Sequence, residues 1–263
     1  MTSPESPRKP IMVGNWKMNM NHLEAIAYVQ KLAFGVSDKD LDRTEVAVLP
    51  PFTDLRSVQT LKEADKLKIL FGAQDVSAHK DGPYTGEISA SMLAKLKVDM
   101  VLVGHSERRA YHHEDDDLIN AKIGEILKNS LRPLLAVGET LPIRQAGDAM
   151  SHVIAQLSGC LKGVSTKQTD GLIVAYEPVW AIGTGEVASP EDAQQMCLAI
   201  REWLSSRFSS TVAEQTRVLY GGSVKASNVK ELMNQPDVDG ALVGGACLDP
   251  AEFLRIIRWP DQL

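Results

Sequence analysis

Eight apolar, β-branched runs recur along the chain at intervals of about 30 residues, and most are followed by a segment with helical spacing. They lie near Ile11 to Lys17, Glu45 to Pro50, Ile69 to Gln74, Met100 to His105, Pro133 to Gly138, Leu172 to Glu177, Arg217 to Gly222 and Gly240 to Gly244. None alternates polar with apolar, which suits parallel strands buried on both faces. Helical spacing shows in Leu23, Ile26, Ala27, Val29, Gln30 and Ala33, and again in Ala193, Met196, Ile200, Trp203 and Leu204. Ser189, Pro190, Glu191 and Asp192 make a helix start, with a capping serine, proline at the first helical position and acids in the first turn. Eight such units in one domain predict a closed (β/α)8 barrel. An open doubly wound sheet would need two edges and a topological switch point.

The 263 residues suit one large α/β domain, expected over residues 11–263. The ten residues before it, MTSPESPRKP, carry neither an apolar core nor a cleavage pattern and are expected to be a short disordered lead-in. Net charge is −6, with 28 basic and 34 acidic residues interspersed, so neither nucleic acid nor a membrane surface is indicated as a partner. An anionic ligand must then be drawn by local features. Cys160, Cys197 and Cys247 lack CxxC spacing, which argues against a disulfide frame or a zinc site and fits a reducing cytoplasm. No apolar run approaches the roughly 18 residues of a membrane helix.

In such a barrel the reacting groups stand at the carboxyl ends of the strands. The polar residues placed there are Asn15 and Lys17, then His105, Ser106 and Glu107, then Glu177, and finally Ser223, Gly244 and Gly245. The segment AYEPVWAIGTG, Ala175 to Gly185, joins the end of a buried strand to one carboxylate and then to a Gly-terminated loop. Taken alone, Glu177 reads as a surface carboxylate; beside that loop it reads as a base that can be covered.

Five motifs, GNWKMN at Gly14 to Asn19, GHSERR at Gly104 to Arg109, AYEPVWAIGTG, YGGSV at Tyr220 to Val224 and GALVGGACL at Gly240 to Leu248, stand in the order found in triosephosphate isomerases. The chain resembles that family from about Ile11 to its last helix. The resemblance implies a single TIM barrel that interconverts dihydroxyacetone phosphate and glyceraldehyde 3-phosphate in glycolysis and gluconeogenesis, as a homodimer, without metal or organic cofactor.

By the same resemblance Glu177 is the base that moves a proton between neighbouring carbons. His105 is the electrophile, a neutral imidazole in the accepted assignment for triosephosphate isomerases rather than one read from these residues. Lys17 would attract the dianionic phosphate and steady the enediolate, with Asn15 expected on the same strand face as a polar donor. Glu107 resembles the family's second acid, paired with the lysine, although a structural salt bridge explains it as well. Ser106 is either a helix cap or a site group. Gly222, Ser223, Gly244 and Gly245 would bind phosphate through backbone amides, but tight turns at positive φ use the same residues. The lid is Pro178, Val179 and Trp180 as first hinge, Ala181, Ile182 and Gly183 as tip, and Thr184 with Gly185 as second hinge, with the Gly183 amide a further phosphate donor. The long loop Gln74 to Glu87 is expected to insert into the partner subunit, its Thr85 reaching that subunit's Asn15 and Lys17 region.

Several positions depart from the usual pattern: Glu186 where a lysine commonly closes the hinge, Ala136 where cysteine is frequent, Ala241 for an aromatic and Cys247 for a serine. None removes a reacting group. Two rival readings are a Schiff-base aldolase using Lys17 as nucleophile and a noncatalytic phosphate-ligand protein. Intact Lys17, His105 and Glu177 speak against the second.

Overall fold

The eight apolar runs form β1 (Ile11–Asn15), β2 (Glu45–Leu49), β3 (Leu70–Ala73), β4 (Met100–Val103), β5 (Arg132–Val137), β6 (Ile173–Tyr176), β7 (Arg217–Tyr220) and β8 (Gly240–Val243). In the computed structural model, which describes residues 8–182 and 188–262, they close in sequence order, with β8 pairing in parallel with β1.

Two apolar layers explain why the strands do not alternate. Ile11 and Val13 point into the barrel with Leu49, Met100, Leu102, Leu134, Ala136, Ile173, Ala175, Leu219 and Leu242. Their neighbours Met12, Val46, Val48, Val101, Val103 and Val174 pack outward against the helices. Each fully buried Val, Leu or Ile contributes roughly 1.5–3 kcal/mol of transfer free energy. With a period of two, Asn15 takes the next inward place after Val13 and so faces the mouth.

Every strand ends one or two residues before the expected limit, at Asn15, Leu49, Ala73, Val103, Val137, Tyr176, Tyr220 and Val243. Lys17, Gln74, His105 and Glu177 therefore stand just beyond the strands at the mouth, where Glu177 N still donates to Val137 O at 2.8 Å. Helix Pro190–Arg207 begins as expected: the Ser189 hydroxyl accepts from Asp192 N at 3.0 Å, and Asp192 reaches back to Ser189 N at 3.0 Å. Helix His22–Gly35 differs. Its buried face is Ala25, Tyr28, Val29 and Leu32, while Leu23, Ala27 and Gln30 are exposed. Apolar residues stand on both sides of this helix, so spacing alone does not choose the face.

Residues 8–10, expected within the disordered lead-in, are instead bonded to the barrel. Arg8 Nε pairs with Asp239 Oδ1 at 2.7 Å, Lys9 Nζ donates to Leu41 O at 2.6 Å, and Pro10 O accepts from Glu45 N at 2.8 Å. These bonds fix residues 8–10 against the base of the barrel; residues 1–7 lie outside the described residues. Among the described residues no helix is long and apolar enough to cross a membrane. All three cysteines are free and buried, and burial pushes the thiols of Cys160 and Cys247 up to about 12.

Candidate active site

The helix Ser106–Tyr111 starts after two intervening residues past β4 and aims its first amides into the barrel mouth. Ser106 N donates to Glu177 Oε2 at 3.0 Å, and Glu107 N points at His105 Nδ1 at 3.2 Å. A nitrogen that accepts an amide hydrogen carries no proton, so geometry assigns the ring proton to Nε2. That atom lies 3.0 Å from Glu177 Oε1. His105 is thus the helix cap, and Ser106, at the first helical position, contributes its amide to the carboxylate. Burial, the largest single influence, acts to lower the pKa of His105, but the charge and hydrogen bond of Glu177 together with the Glu107 charge outweigh it and hold the imidazole above its ordinary value. Lys17 opposes that rise.

Lys17 is off the strand, in the left-handed region at φ 53°. For a residue with a side chain this costs roughly 1–2 kcal/mol. The turn is held from both sides: Lys17 N donates to Asn15 Oδ1 at 3.0 Å, and Gln74 Nε2 donates to Lys17 O at 2.8 Å and to Leu49 O at 2.7 Å. Asn15 therefore positions Lys17 through its backbone, which corrects the expectation of a shared strand face. Lys17 Nζ and Glu107 Oε1 form an ion pair at 2.6 Å.

Two glycines make room for Glu177. A Cβ on Gly138 would fall 1.7 Å from the Glu177 carbonyl oxygen, and one on Gly221 would fall 2.9 Å from Glu177 Cγ. Just beyond Glu177, Pro178 leads into a 3-10 turn, Val179–Ala181, anchored on Glu139. Glu139 accepts from Tyr176 Oη at 3.0 Å and from Trp180 Nε1 at 2.8 Å, and Val179 N bonds its carbonyl at 3.1 Å. Arg144 stacks over the Trp180 ring at 4.3 Å and pairs with Asp192 at 2.5 Å, so it spans from the loop's entry to the helix after its exit. Ile182 lines the mouth. Gly183, Thr184, Gly185 and Glu186 lie outside the described residues.

Opposite Glu177, a cavity of about 280 Å³ brings together Asn15, Lys17, His105 and Glu177 with Gly222, Ser223, Gly244 and Gly245. The positive-φ reading of these glycines fails, since Gly222, Gly244 and Gly245 are all absent from the left-handed region. Openness is what two of them provide: a Cβ on Gly245 would meet nothing within 4 Å, and one on Gly244 only the Lys17 side chain, at 3.6 Å. A short 3-10 turn, Gly245–Leu248, begins at the same wall. Cys247 packs behind it, 3.5 Å from Asn15 O and close against Gly14.

Thr85 is exposed on the loop after β3. That loop is closed at its base by Ser77 N to Ile88 O at 2.8 Å and stiffened by the stacked rings of His79 and Tyr84. A single chain places Thr85 away from the cavity lining. Sequence reasoning missed Gln74 and Glu139. Gln74 directly follows β3 and Glu139 stands two residues past β5, and that placement at strand ends was the available signal. Among the described residues no group of three or more His, Cys, Asp or Glu side chains is arranged to hold a metal ion.

A (β/α)8 barrel with a carboxylate, an imidazole and a lysine at its mouth, facing an open glycine wall, is the build of a barrel enzyme for a small anionic substrate. The sequence model described as triosephosphate isomerase matches residues 10–259, and the chain belongs to that family. It is 60% identical over 255 residues to the triosephosphate isomerase of Streptomyces avermitilis, covering 97% of this chain and 99% of that protein. Identity is 59% with the Nocardia farcinica enzyme and 57% with that of Mycobacterium tuberculosis, each over 249 residues and 95% of both chains.

Proposed function

We propose that this chain interconverts dihydroxyacetone phosphate and D-glyceraldehyde 3-phosphate through an enediol(ate), as an aldose–ketose isomerase without metal or organic cofactor. The observation that carries the reading is a buried carboxylate, Glu177, 3.0 Å from the Nε2 of a buried imidazole, His105, at the mouth of the barrel. Glu177 turns from His105 toward the substrate and takes a proton from the carbon beside the carbonyl. His105 Nε2–H donates to the carbonyl oxygen as negative charge develops there. Once Glu177 turns away, its upward pull on the imidazole goes, and burial favours the neutral ring. Lys17, held by Asn15, Gln74 and Glu107, stabilises the oxyanion. The hydroxyl proton of the first carbon passes to the oxygen of the second, beside His105, and the same carboxylate then returns its proton to the neighbouring carbon, leaving the carbonyl on the first. The phosphate sits against Ser223, Gly244 and Gly245, where backbone amides can approach it closely. Closure of the loop from Pro178 to Gly185 excludes water, with the Gly183 amide as a further donor.

The reading extends to glycolysis and gluconeogenesis, to a cytoplasmic location and to a homodimer. What supports the dimer is the exposed apolar surface of Met18, Tyr84 and Tyr111, together with the ordered loop carrying Thr85. The aldolase alternative needs the free electron pair of an amine; the Lys17 nitrogen is engaged instead by Glu107 at 2.6 Å. A coupled assay in both directions with chelator present tests the proposal. Turnover both ways, with no borohydride-trapped adduct, is expected. An adduct on Lys17, or no turnover of either triose phosphate, would overturn it.

A further inference from the structure

Two lysines line the mouth cavity, Lys17 and Lys225. They differ in what they hold. Lys17 Nζ is already paired with Glu107 at 2.6 Å, and Glu177 adds a second carboxylate to the same mouth. For a dianionic phosphate entering a chain of net charge −6, that balance is unfavourable. Lys225 is exposed, and its ammonium has no hydrogen-bond or ion-pair partner among the described residues.

The backbone of Lys225 is nevertheless fixed. Lys225 N donates to Asn228 Oδ1 at 2.9 Å, Asn228 Nδ2 donates to Ser223 O at 2.9 Å, and Ala226 N donates to Glu252 Oε1 at 2.9 Å. Asn228 thus ties Lys225 to Ser223, a residue of the phosphate wall. The nearby acid is occupied as well: Glu252 accepts from the Ala226 amide and from Arg255, through Nε at 3.0 Å and through Nη2, and feels the Lys225 charge only as the smallest of several influences, without an ion pair. A rigid base carrying a flexible four-carbon arm whose charge is in no ion pair is suited to meeting an incoming anion.

We propose that Lys225 is a specificity-determining residue of this site, the unpaired cation that recruits the phosphate dianion and favours phosphorylated over unphosphorylated substrate. The inference rests on the isomerase reading given above. Its force is Coulombic and long-range, so it acts on capture more than on chemistry and is screened by salt over about 10 Å at 0.1 M.

The test compares wild type, Lys225→Met and Lys225→Arg on D-glyceraldehyde 3-phosphate and on D-glyceraldehyde, across ionic strength. In Lys225→Met the ratio of kcat/KM for the phosphorylated over the unphosphorylated substrate is expected to fall about fivefold at low salt. The slope of log kcat/KM against ionic strength should flatten, the loss residing in KM rather than kcat, and Lys225→Arg should restore ratio and slope. Wild-type ratio and slope in Lys225→Met would overturn the proposal, as would an equal loss on both substrates. Calorimetric binding of inorganic phosphate to the same proteins separates this result from the parent reading. If wild type turns over no triose phosphate but binds phosphate in a Lys225-dependent way, the isomerase reading fails and the cation stands. Equal phosphate affinity in wild type and Lys225→Met removes the cation.

Discussion

The amino and carboxyl ends of the barrel are made from the same eight strands, and both are rich in charge. At the amino end the buried and half-buried charges are met by other parts of the chain. Asp239 accepts from Arg201 at 2.5 Å, Arg8 at 2.7 Å and Val218 N at 2.9 Å; Arg201 also binds Asp237 and the carbonyl oxygens of Ala213 and Thr216; Arg217 pairs with Glu45. The cavity at this end is larger, about 1000 Å³, yet Arg8, Arg217 and Glu45 on its wall are committed to these pairs. At the carboxyl end the cavity is smaller, Lys17 sits at positive φ, and Glu177 and His105 are buried against each other with their polar atoms on a shared open space. Volume does not mark the reactive end. Reacting groups gathered around one shared open space do, and they are held there by clamps such as Gln74.

If that contrast holds, the largest effect comes from removing the base. Glu177→Ala should lower kcat by about 10²–10⁴-fold or more, with the urea midpoint close to wild type. Retention of a tenth of the turnover would break the assignment. At the other end, Arg201→Met should leave kcat per folded molecule near wild type while lowering stability by about 3–5 kcal/mol, because Asp239 and Asp237 lose a buried partner. Urea denaturation at fixed protein concentration measures it.

Most of this division is legible in the sequence. The eight runs give the strand order, and Glu177, His105 and Lys17 fall where a barrel puts reacting groups. What is not legible depends on three-dimensional closure. Gln74 and Glu139 look like ordinary loop residues until the barrel brings Gln74 onto Lys17 O and places Glu139 under Trp180. The left-handed Lys17 carries no sign in a GNWKMN string, since glycine is the usual mark of that conformation. The buried face of His22–Gly35 is equally hidden, because apolar residues occupy both sides and only packing against the barrel selects one.

Gln74→Ala sharpens the comparison with a smaller effect. It frees the Lys17 carbonyl and should lower kcat/KM about tenfold through misplacement of the ammonium, as steady-state kinetics would show; wild-type values would mean that Asn15 alone holds the turn. The smallest effect concerns Asp40, near the base of the barrel. Burial acts to raise its pKa, but hydrogen bonds from Arg258 and Ser37 outweigh it, so the folded value lies below the ordinary carboxylate value. The stabilisation is complete above the unfolded pKa near about 4 and is lost as pH falls through the lower folded value. Asp40→Asn should cost on the order of 1 kcal/mol at neutral pH, and the gap in urea midpoint should close as pH falls through the lowered folded value. A gap that persists there would remove the ionic contribution.

Solvent hydrogen exchange tests the central claim most directly. With dihydroxyacetone phosphate in deuterated water, the wild-type chain should place deuterium on the carbon that receives the proton from Glu177, at a rate tied to turnover, and Glu177→Ala should do so slower by at least about two orders of magnitude. Turnover without any deuterium at that carbon, or exchange at an equal rate in the variant, would contradict it.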